Sequence, residues 1–462
     1  MNAKPGTLES LNPHDGNLIA TYDEHTDAEV DDLLDAVTIA QGSWAARPLT
    51  ERALALSGLA SALRANKQQT AEMMTREMGK PVAQAEAEIE KCAWVCEYYA
   101  KEAPGFLAPI KVKTDSKRSE IIFRPLGNVL AIMPWNFPYW QAFRFAVPAI
   151  AAGNGVVLKH AANVTGSALA IEEVFANALP KDLLRTIIVS SKRVARVIEH
   201  DRIAAVTFTG STGAGRSVAS VAGGALKKCV LELGGSDPYV VLANANVSQA
   251  AEICAKARLV NSGQSCIAAK RFIVEEPVYE DFVDALRVQF GKLKTGDPMS
   301  RETDIGPLAR QDLAVELARQ VDETVSAGAK MITGGRMDGD GYRQGAYYAP
   351  TLLINVDPGM VAFSEELFGP VAPVTRARNV DEALAMANDS EFGLGGAIFT
   401  GDADRGWALA CDKLETGTVA VNGQVQSDPR LPFGGIKSSG YGRELGEFGI
   451  REFVNVKTVS RF

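Results

Sequence analysis

Cys266 is the residue best suited to covalent chemistry. It ends the segment Asn261-Ser-Gly-Gln-Ser-Cys266, whose small polar residues and glycine would let a substrate approach the side chain. A thiolate adds to an aldehyde carbonyl and forms a tetrahedral thiohemiacetal. Because an isolated cysteine is more often structural, the prediction that Cys266 is a nucleophile depends on what other segments bring to it.

Two further side chains would complete this chemistry. Glu232 ends a predicted strand, where partial burial would raise its pKa and suit it to activate water against a thioester. Asn136 lies in Pro134-Trp-Asn-Phe-Pro138, and its amide could stabilise an oxyanion together with a backbone N–H at Cys266, an effect worth roughly 3–4 kcal/mol per donor. Taken alone, Glu232 would be interpreted as a solvated glutamate before a turn. Asn136 would be interpreted as part of a structural, proline-rich turn.

A nucleotide site is indicated by a second group of residues. Phe208-Thr-Gly-Ser-Thr-Gly-Ala-Gly215 lies between a predicted strand and a predicted helix, so its amides could bind a phosphate. The segment is neither GxGxxG nor a P-loop, because Arg216 stands where a P-loop needs Lys followed by Ser or Thr. Lys159 could hold a ribose hydroxyl or a 2′-phosphate. Glu366 and Phe368 could fix a nicotinamide ribose and ring, although a phenylalanine is more often core.

The elements that position these residues follow from the apolar pattern. A helical pattern runs from Thr26, with a capping box at Thr26 and Glu29, to about Ala103. Strands alternate with helices after Gly105, which predicts doubly wound, mostly parallel sheets in two α/β units that meet near residue 235. The predicted strands are 119–123, 128–132, 156–158, 186–189, 205–208, 230–233, 239–242, 272–274, 331–333, 371–374, 397–399 and 419–421.

Composition excludes several classes of protein. The 462 residues carry a net charge of −8, which opposes binding to nucleic acid or to an anionic membrane. The most apolar stretch, 145–158, is too short and too interrupted to cross a membrane, and the amino terminus does not have the pattern of a secretory signal. Six irregularly spaced cysteines and four scattered histidines predict neither a disulfide framework nor a metal site. We therefore expect a cytoplasmic protein.

Together, the motifs resemble the aldehyde dehydrogenase superfamily over nearly the whole chain. PWNFP, VVLK, FTGSTGAG, ELGG, GQSC, EELFGPV, FGLGGAIFT and PFGGIKSSG occur in family order at family-like spacing. The resemblance implies a nucleophile at Cys266, a general base at Glu232 and an oxyanion donor at Asn136. The cofactor-binding residues that it implies are Trp135, Lys159, Gly210, Ser211, Gly215, Leu233, Glu366 and Phe368.

The same resemblance implies an α/β fold with three parts. Residues 1–104 and 126–234 would form the cofactor-binding domain, and residues 235–440 the catalytic domain. A small β element, made of residues 105–125 and 441–462, would join subunits into a homodimer or homotetramer. The alternating pattern of the tail 451–462 agrees with this, because an isolated strand needs a partner sheet.

The cofactor is expected to be NAD or NADP. Many NAD-preferring relatives have a glutamate three residues after the lysine, where this chain has Ala162. The carboxylate that would repel a 2′-phosphate is therefore missing, so NADP should be tolerated, with a slight preference for NAD. The segment 190–193 also lacks the glycines that are common in relatives.

The expected substrate is succinate semialdehyde. The sequence looks most like bacterial succinate semialdehyde dehydrogenases, and a carboxylated aldehyde needs a cation in the entrance. Arg144 matches a substrate-binding arginine of that group, and Ser427 and Arg430 could replace a second arginine, whose place is taken by Val260. The alternatives are glutarate semialdehyde, aminobutyraldehyde or an aliphatic aldehyde. Two other functions fit the residues less well. An enzyme that transfers the acyl group to CoA would not need a water-activating Glu232, and a non-catalytic protein on the same fold should have lost Cys266 or Glu232, which are both present.

Overall fold

The computed structural model describes residues 6–337 and 345–462. Its helices are α1 Asp27–Ala45, α2 Leu49–Ala65, α3 Lys67–Met78, α4 Val82–Phe106, α5 Pro138–Ala152, α6 Thr165–Ala178, α7 Val194–Glu199, α8 Thr212–Gly224, α9 Val247–Leu259, α10 Tyr279–Phe290, α11 Gln311–Ser326, α12 Val361–Ser364, α13 Val380–Asn388, α14 Ala403–Asp412 and α15 Gly446–Glu452. None of the helices within the described ranges is long and apolar enough to cross a membrane.

The strands of the described residues form five sheets. They are β1 Thr7–Leu11, β2 Leu18–Asp23, β3 Ile110–Val112, β4 Arg118–Pro125, β5 Asn128–Met133, β6 Gly155–His160, β7 Leu184–Thr186, β8 Ile203–Thr209, β9 Lys228–Glu232, β10 Asp237–Val241, β11 Ala269–Glu275, β12 Lys330–Arg336, β13 Tyr348–Ile354, β14 Val371–Ala377, β15 Phe392–Gly393, β16 Gly395–Phe399, β17 Thr418–Val421, β18 Ile436–Lys437, β19 Gly440–Tyr441 and β20 Val454–Arg461.

The long helical region begins at the predicted capping box. The Thr26 hydroxyl accepts a hydrogen bond from the Glu29 amide at 3.2 Å, and the Glu29 carboxylate accepts one from the Thr26 amide at 2.7 Å. These bonds satisfy amides that a helix start otherwise leaves unpaired. Helix α3 ends at Gly79, whose φ of +78° is a left-handed conformation that favours glycine.

The first large sheet has the order β19-β9-β8-β5-β6-β7 and is parallel apart from β19. Buried apolar side chains cover both of its faces, one cluster including α2, α4, α5 and α6 and the other α1, α7 and α8. This is the predicted doubly wound arrangement. The register pairs Ile132 with Lys159 and Thr209 with Glu232, so the ends of four strands, β5, β6, β8 and β9, lie along one edge.

The second large sheet has the order β12-β13-β14-β11-β10-β16-β17 and is parallel apart from β12. Only the four residues 233–236 separate β9 of the first sheet from β10 of the second. Since β10 pairs with β11 from Asp237 opposite Ala269, the segment before β11 is brought beside the end of β9. That segment carries Cys266.

The third sheet, of order β20-β4-β3, is antiparallel. Strand β20 pairs with β4 from Val454 opposite Pro125 to Arg461 opposite Arg118, so the tail that alternates in the sequence does form a strand. The residues just before it lie elsewhere, because β19 pairs with β9 and α15 packs on α4 and α5.

Candidate active site

Two cavities meet at Cys266. The first, which we call the α5 cavity, has a volume of about 610 Å³ and is lined by side chains of α4, α5 and α9 and of the loop before β18. The second, the α8 cavity, has a volume of about 800 Å³ and lies at the carboxyl edge of the first sheet, against the start of α8. Cys266 and Gln141 line both cavities, so a group bound in either one can reach the sulfur.

The loop that carries Cys266 is held in a strained conformation. Asn261 and Ser262 have φ values of +53° and +55°, which non-glycine residues rarely adopt. A side chain on Gly263 would collide with the carbonyl of Gly369. The Asn261 amide donates to the carbonyl of Asn136 at 2.7 Å, so this loop is tied to the segment that follows β5.

The resting Cys266 side chain is a thiol at neutral pH. Burial raises its pKa to about 11, although the positive charges of Arg144 and Lys270 lower it. The Lys270 ammonium donates to the Cys266 carbonyl at 2.7 Å, which holds the backbone of the residue. A base must therefore remove the thiol proton before the sulfur can act as a nucleophile.

Asn136 lies in the same network. It is buried, and its side-chain amide donates to the carbonyl of Gln264 at 3.1 Å, two residues before Cys266. Its side-chain oxygen has no hydrogen-bond partner in the part of the chain that the structure describes. Asn136 also lines the α8 cavity, so the structure places this amide donor beside the loop that carries the sulfur.

Glu232 is sealed in the interior. Its exposure is 2%, and neither carboxyl oxygen has a hydrogen-bond partner among the described residues. Burial, and then the charge of Glu444, raise the pKa of Glu232 well above its ordinary value. The carboxyl group does not line either cavity, whereas Leu233 and Gly234 line the α8 cavity. In this conformation burial favours the neutral form of the Glu232 carboxyl group. Its side chain would have to turn toward Cys266 to act on a water there.

The backbone approaches closely at this strand end. A Cβ atom added to Gly235 would lie 2.7 Å from the Cys266 carbonyl oxygen, and one added to Gly434 would lie 2.8 Å from the Glu232 carboxylate and 2.9 Å from the carbonyl oxygen of Gly442. Glycine is therefore required at both positions. The Cys266 loop and the segment around Gly434 therefore both pack closely against the end of β9.

The α8 cavity offers donors for an anion. Helix α8 starts after Ser211 with no side-chain cap, so its first amides are free to bind a phosphate. A Cβ atom on Gly213 would meet no atom within 4 Å, so the helix start is open. Lys159 lines the cavity, and burial lowers the pKa of its ammonium group. A side chain on Gly215 would collide with Leu233, so Gly215 packs the helix onto the strand and does not line the cavity.

The remaining predicted residues of this cavity form its wall near Cys266. Glu366 accepts a hydrogen bond from the Gly235 amide at 3.2 Å and forms an ion pair with Lys270 at 3.1 Å. Phe368 and Trp135 pack edge to face, with ring centres 5.6 Å apart. Glu366, Phe368 and Trp135 all line the α8 cavity.

The α5 cavity contains two of the three predicted substrate-binding residues. Arg144 is buried, forms an ion pair with Glu444, and has its guanidinium group 4.8 Å from the centre of the Phe433 ring. Ser427 accepts a hydrogen bond from the indole N–H of Trp140 at 3.1 Å. Both Arg144 and Ser427 line the cavity.

Arg430 does not line the α5 cavity. Its side chain is 65% exposed, and Asp428, two residues earlier, accepts two hydrogen bonds from it at 2.6 and 2.9 Å. This local pairing turns the guanidinium group outward, where it lies 5.5 Å from the centre of the Trp94 ring. The structure therefore does not bring Arg430 to the place that the sequence predicted.

Several residues of the site were missed by sequence reasoning. Lys91 and Trp140 line the α5 cavity and lie on two different helices, with the Lys91 ammonium 4.1 Å from the centre of the Trp140 ring. Glu444 was missed as the partner of Arg144, because 300 residues separate the two in the sequence. No local motif marks such pairs, which meet only in the folded chain.

The comparisons with known proteins agree with this geometry. A sequence model described as "Aldehyde dehydrogenase family" matches residues 1–459. The chain is 46% identical over 454 residues to "Probable succinate-semialdehyde dehydrogenase [NADP(+)]" of Synechocystis sp., covering 98% of this chain and 99% of that protein. It is also 46% identical over 455 residues to "Succinate semialdehyde dehydrogenase [NAD(P)+] Sad" of Escherichia coli, covering 97% of each.

A solved structure extends the likeness to the fold. Succinic semialdehyde dehydrogenase from Streptococcus pyogenes, in complex with NADP+ as the cofactor, superimposes with a TM-score of 0.94 at 36% identity, over 98% of this chain and 99% of that one. The family resemblance and the fold class predicted from the motifs are both confirmed.

Proposed function

The chain belongs to the aldehyde dehydrogenase family, and from this premise we propose that it oxidises succinate semialdehyde to succinate with NADP or NAD as the hydride acceptor. One observation carries the proposal: Cys266 lines both cavities. A nucleophile at this junction can hold an aldehyde from one cavity next to a cofactor in the other. The names of the relatives from Synechocystis and Escherichia coli support this substrate and this cofactor.

The residues of the α8 cavity fit a dinucleotide. The open start of α8 would bind a phosphate, Lys159 would bind the adenosine ribose or its 2′-phosphate, and Glu366 would bind the nicotinamide ribose. When bound, the nicotinamide ring supplies the acceptor for the hydride. NADP is favoured because Ala162 leaves no carboxylate after Lys159 and because several relatives are named for NADP. This reverses the slight preference for NAD expected from the sequence.

The chain's own residues perform the remaining steps. The Cys266 thiol transfers its proton to solvent water that enters the cavity with the substrate, and the sulfur bonds to the aldehyde carbon as the carbonyl π bond breaks. The Asn136 amide and the Cys266 backbone N–H donate to the resulting oxyanion. Loss of hydride leaves a thioester on Cys266. Glu232 turns toward the cavity, where hydration lowers its pKa, and accepts a proton from the water that attacks the thioester carbon. The carbon–sulfur bond breaks, the thiol reforms and the acid leaves.

The α5 cavity suits an aldehyde with a distal carboxylate. A buried carboxylate without a cation is costly, and this cavity is lined by Lys80, Lys91 and Arg144 among its cationic residues. Trp140, Phe137 and Ile267 supply apolar walls that suit the short methylene chain between the aldehyde and the carboxylate.

We also propose that the chain forms a homodimer or homotetramer in the cytoplasm. The exposed side chains of Val456, Val459 and Phe462 on and beside β20 support subunit contact through residues 105–125 and 454–462, since an exposed strand edge favours pairing with another chain. The earlier part of the predicted range 441–462 packs elsewhere, with β19 on β9 and α15 on α4 and α5. All six cysteines are free, which supports a reducing compartment such as the cytoplasm. The proposed division into a cofactor-binding domain up to residue 234 and a catalytic domain over 235–440 follows the two large sheets.

A panel of initial rates tests the function. The substrates are succinate semialdehyde, glutarate semialdehyde, aminobutyraldehyde and butanal, each with NAD and NADP and with and without added CoA. We expect the highest kcat/KM for succinate semialdehyde with NADP, and free acid as the product in every case. Rates that do not depend on the distal carboxylate would overturn the substrate assignment, and formation of acyl-CoA would overturn the hydrolytic step.

A further inference from the structure

Most buried cations of the α5 cavity already have an anionic partner. Arg144 forms an ion pair with Glu444, and Lys80 forms one with Glu88. Glu88 also accepts hydrogen bonds from the amides of Tyr139 and Trp140, both at 2.9 Å. The charges of Arg144 and Lys80 are therefore balanced within the protein, and Glu88 is fully engaged at the start of α5.

Lys91 has no such partner among residues 6–337 and 345–462. It is partly buried on α4 and lines the cavity, and within the described ranges it takes part in no ion pair. Of the acids that act on it electrostatically, Glu88 is bound to Lys80 and Asp428 is bound to Arg430. Two other lysines of the cavity lining, Lys256 and Lys292, are exposed and can be balanced by solvent.

The surroundings of Lys91 fix its ammonium group while leaving the charge unbalanced. The ammonium lies 4.1 Å from the centre of the Trp140 ring, and the hydrogen bond from the indole N–H to Ser427 holds that ring in place. Burial and then the charge of Arg144 lower the pKa of Lys91 to about 8, against the opposite effects of Cys92, Glu88 and Asp428. An anion placed beside the ammonium would offset the free energy that it costs to bury this unpaired charge.

We propose that Lys91 binds the distal carboxylate of the substrate and thereby selects a carboxylated aldehyde. This inference rests on the proposed function. Lys91 and Cys266 line the same cavity, and in the proposed complex the carboxylate of a bound substrate is directed toward the lysine and its aldehyde carbon toward the sulfur. Arg144, whose charge Glu444 balances, shapes the cavity and adds to its positive potential. Ser427 orients Trp140 beneath the ammonium.

Substitution of Lys91, assayed on two aldehydes, tests this assignment. Lys91→Met keeps an unbranched side chain of similar length without the charge, and Lys91→Arg keeps the charge. The control is Lys101→Met, on the same helix, since Lys101 is 83% exposed and lines neither cavity. Steady-state kinetics are measured with NADP on succinate semialdehyde and on butanal, which has the same chain length without the carboxylate.

We expect Lys91→Met to lower kcat/KM for succinate semialdehyde by about 10- to 100-fold, mainly through KM, because a hydrogen bond to a charged group is lost. The value for butanal should change by about twofold or less, and Lys91→Arg should recover most of the loss. Lys101→Met should behave as the wild type with both aldehydes.

The other outcomes separate this inference from the proposed function. If the wild type prefers succinate semialdehyde and Lys91→Met keeps that preference, the role of Lys91 is overturned and the proposed function stands. Equal losses on both aldehydes also overturn it, because they would mark a structural role. A wild type that does not distinguish the two aldehydes overturns the proposed substrate itself, and the selection by Lys91 with it.

Discussion

The two cavities that meet at Cys266 are built in different ways. Part of the α8 cavity is formed by small residues of one contiguous segment at a strand end, such as Gly210 and Ser211. The α5 cavity is formed by side chains of α4, α5, α9 and the loop that contains Ser427. A site made from backbone leaves a local motif, because the chain needs glycine where a ligand approaches. A site made from distant side chains leaves none.

Removal of the residue common to both cavities should have the largest effect. Cys266→Ser replaces the sulfur by a far weaker nucleophile, and we expect kcat to fall by about 10³-fold or more. The affinity for NADP, measured by fluorescence titration, should change by about twofold or less, because the α8 cavity is intact. Wild-type turnover in this variant would mean that Cys266 is not the nucleophile.

Asn136→Ala should come next. The amide is expected to act only when charge develops on the substrate oxygen, so kcat should fall by about 10²- to 10³-fold. KM for succinate semialdehyde and the affinity for NADP should change little. A loss confined to KM, seen in steady-state kinetics, would instead assign Asn136 to ground-state binding or to holding the Cys266 loop through Gln264.

Ala162→Glu tests the α8 cavity alone. A carboxylate there would face the 2′-phosphate, so kcat/KM for NADP should fall by about 10- to 100-fold while that for NAD changes by about threefold or less. Ala162→Gln, of nearly equal size, is the control for the charge. An equal loss with both cofactors, measured at saturating aldehyde, would show that residue 162 does not lie near the 2′ position.

Ser427→Ala tests the α5 cavity alone and should have the smallest effect. Trp140 loses the acceptor of its indole N–H, and we expect KM for succinate semialdehyde to rise by about three- to tenfold. The affinity for NADP should stay at the wild-type value. A change in NADP affinity from this variant would contradict the separation of the two cavities.

The same contrast explains what the sequence could predict. The helices from Thr26, the doubly wound first sheet and the cavity-lining positions Lys159 and Gly210 follow from local patterns, and the structure has them. The hairpin of β1 and β2 was missed. The predicted strand 186–189 shares only Thr186 with the observed strand Leu184–Thr186. An apolar run indicates which residues are buried more clearly than it indicates which of them pair with a neighbouring strand.

The substrate side was predicted less well. Arg144 and Ser427 line the α5 cavity, but Arg430 is held outside by Asp428, and no local pattern marks Lys91, which does line it. The charge state of a cation depends on its partners in space, and the partner of Arg144 is Glu444. Sequence spacing identifies candidate cations, but only the folded chain shows which of them is left unbalanced.

Trapping of the covalent intermediate tests the central claim most directly. In Glu232→Gln the thioester should form but hydrolyse slowly, so rapid acid quenching after mixing with succinate semialdehyde and NADP should preserve it. Mass spectrometry of the digested protein should find one succinyl group per chain on the peptide that contains Cys266. A quenched enzyme without this adduct, or with the adduct on another of the six cysteines, would contradict the account.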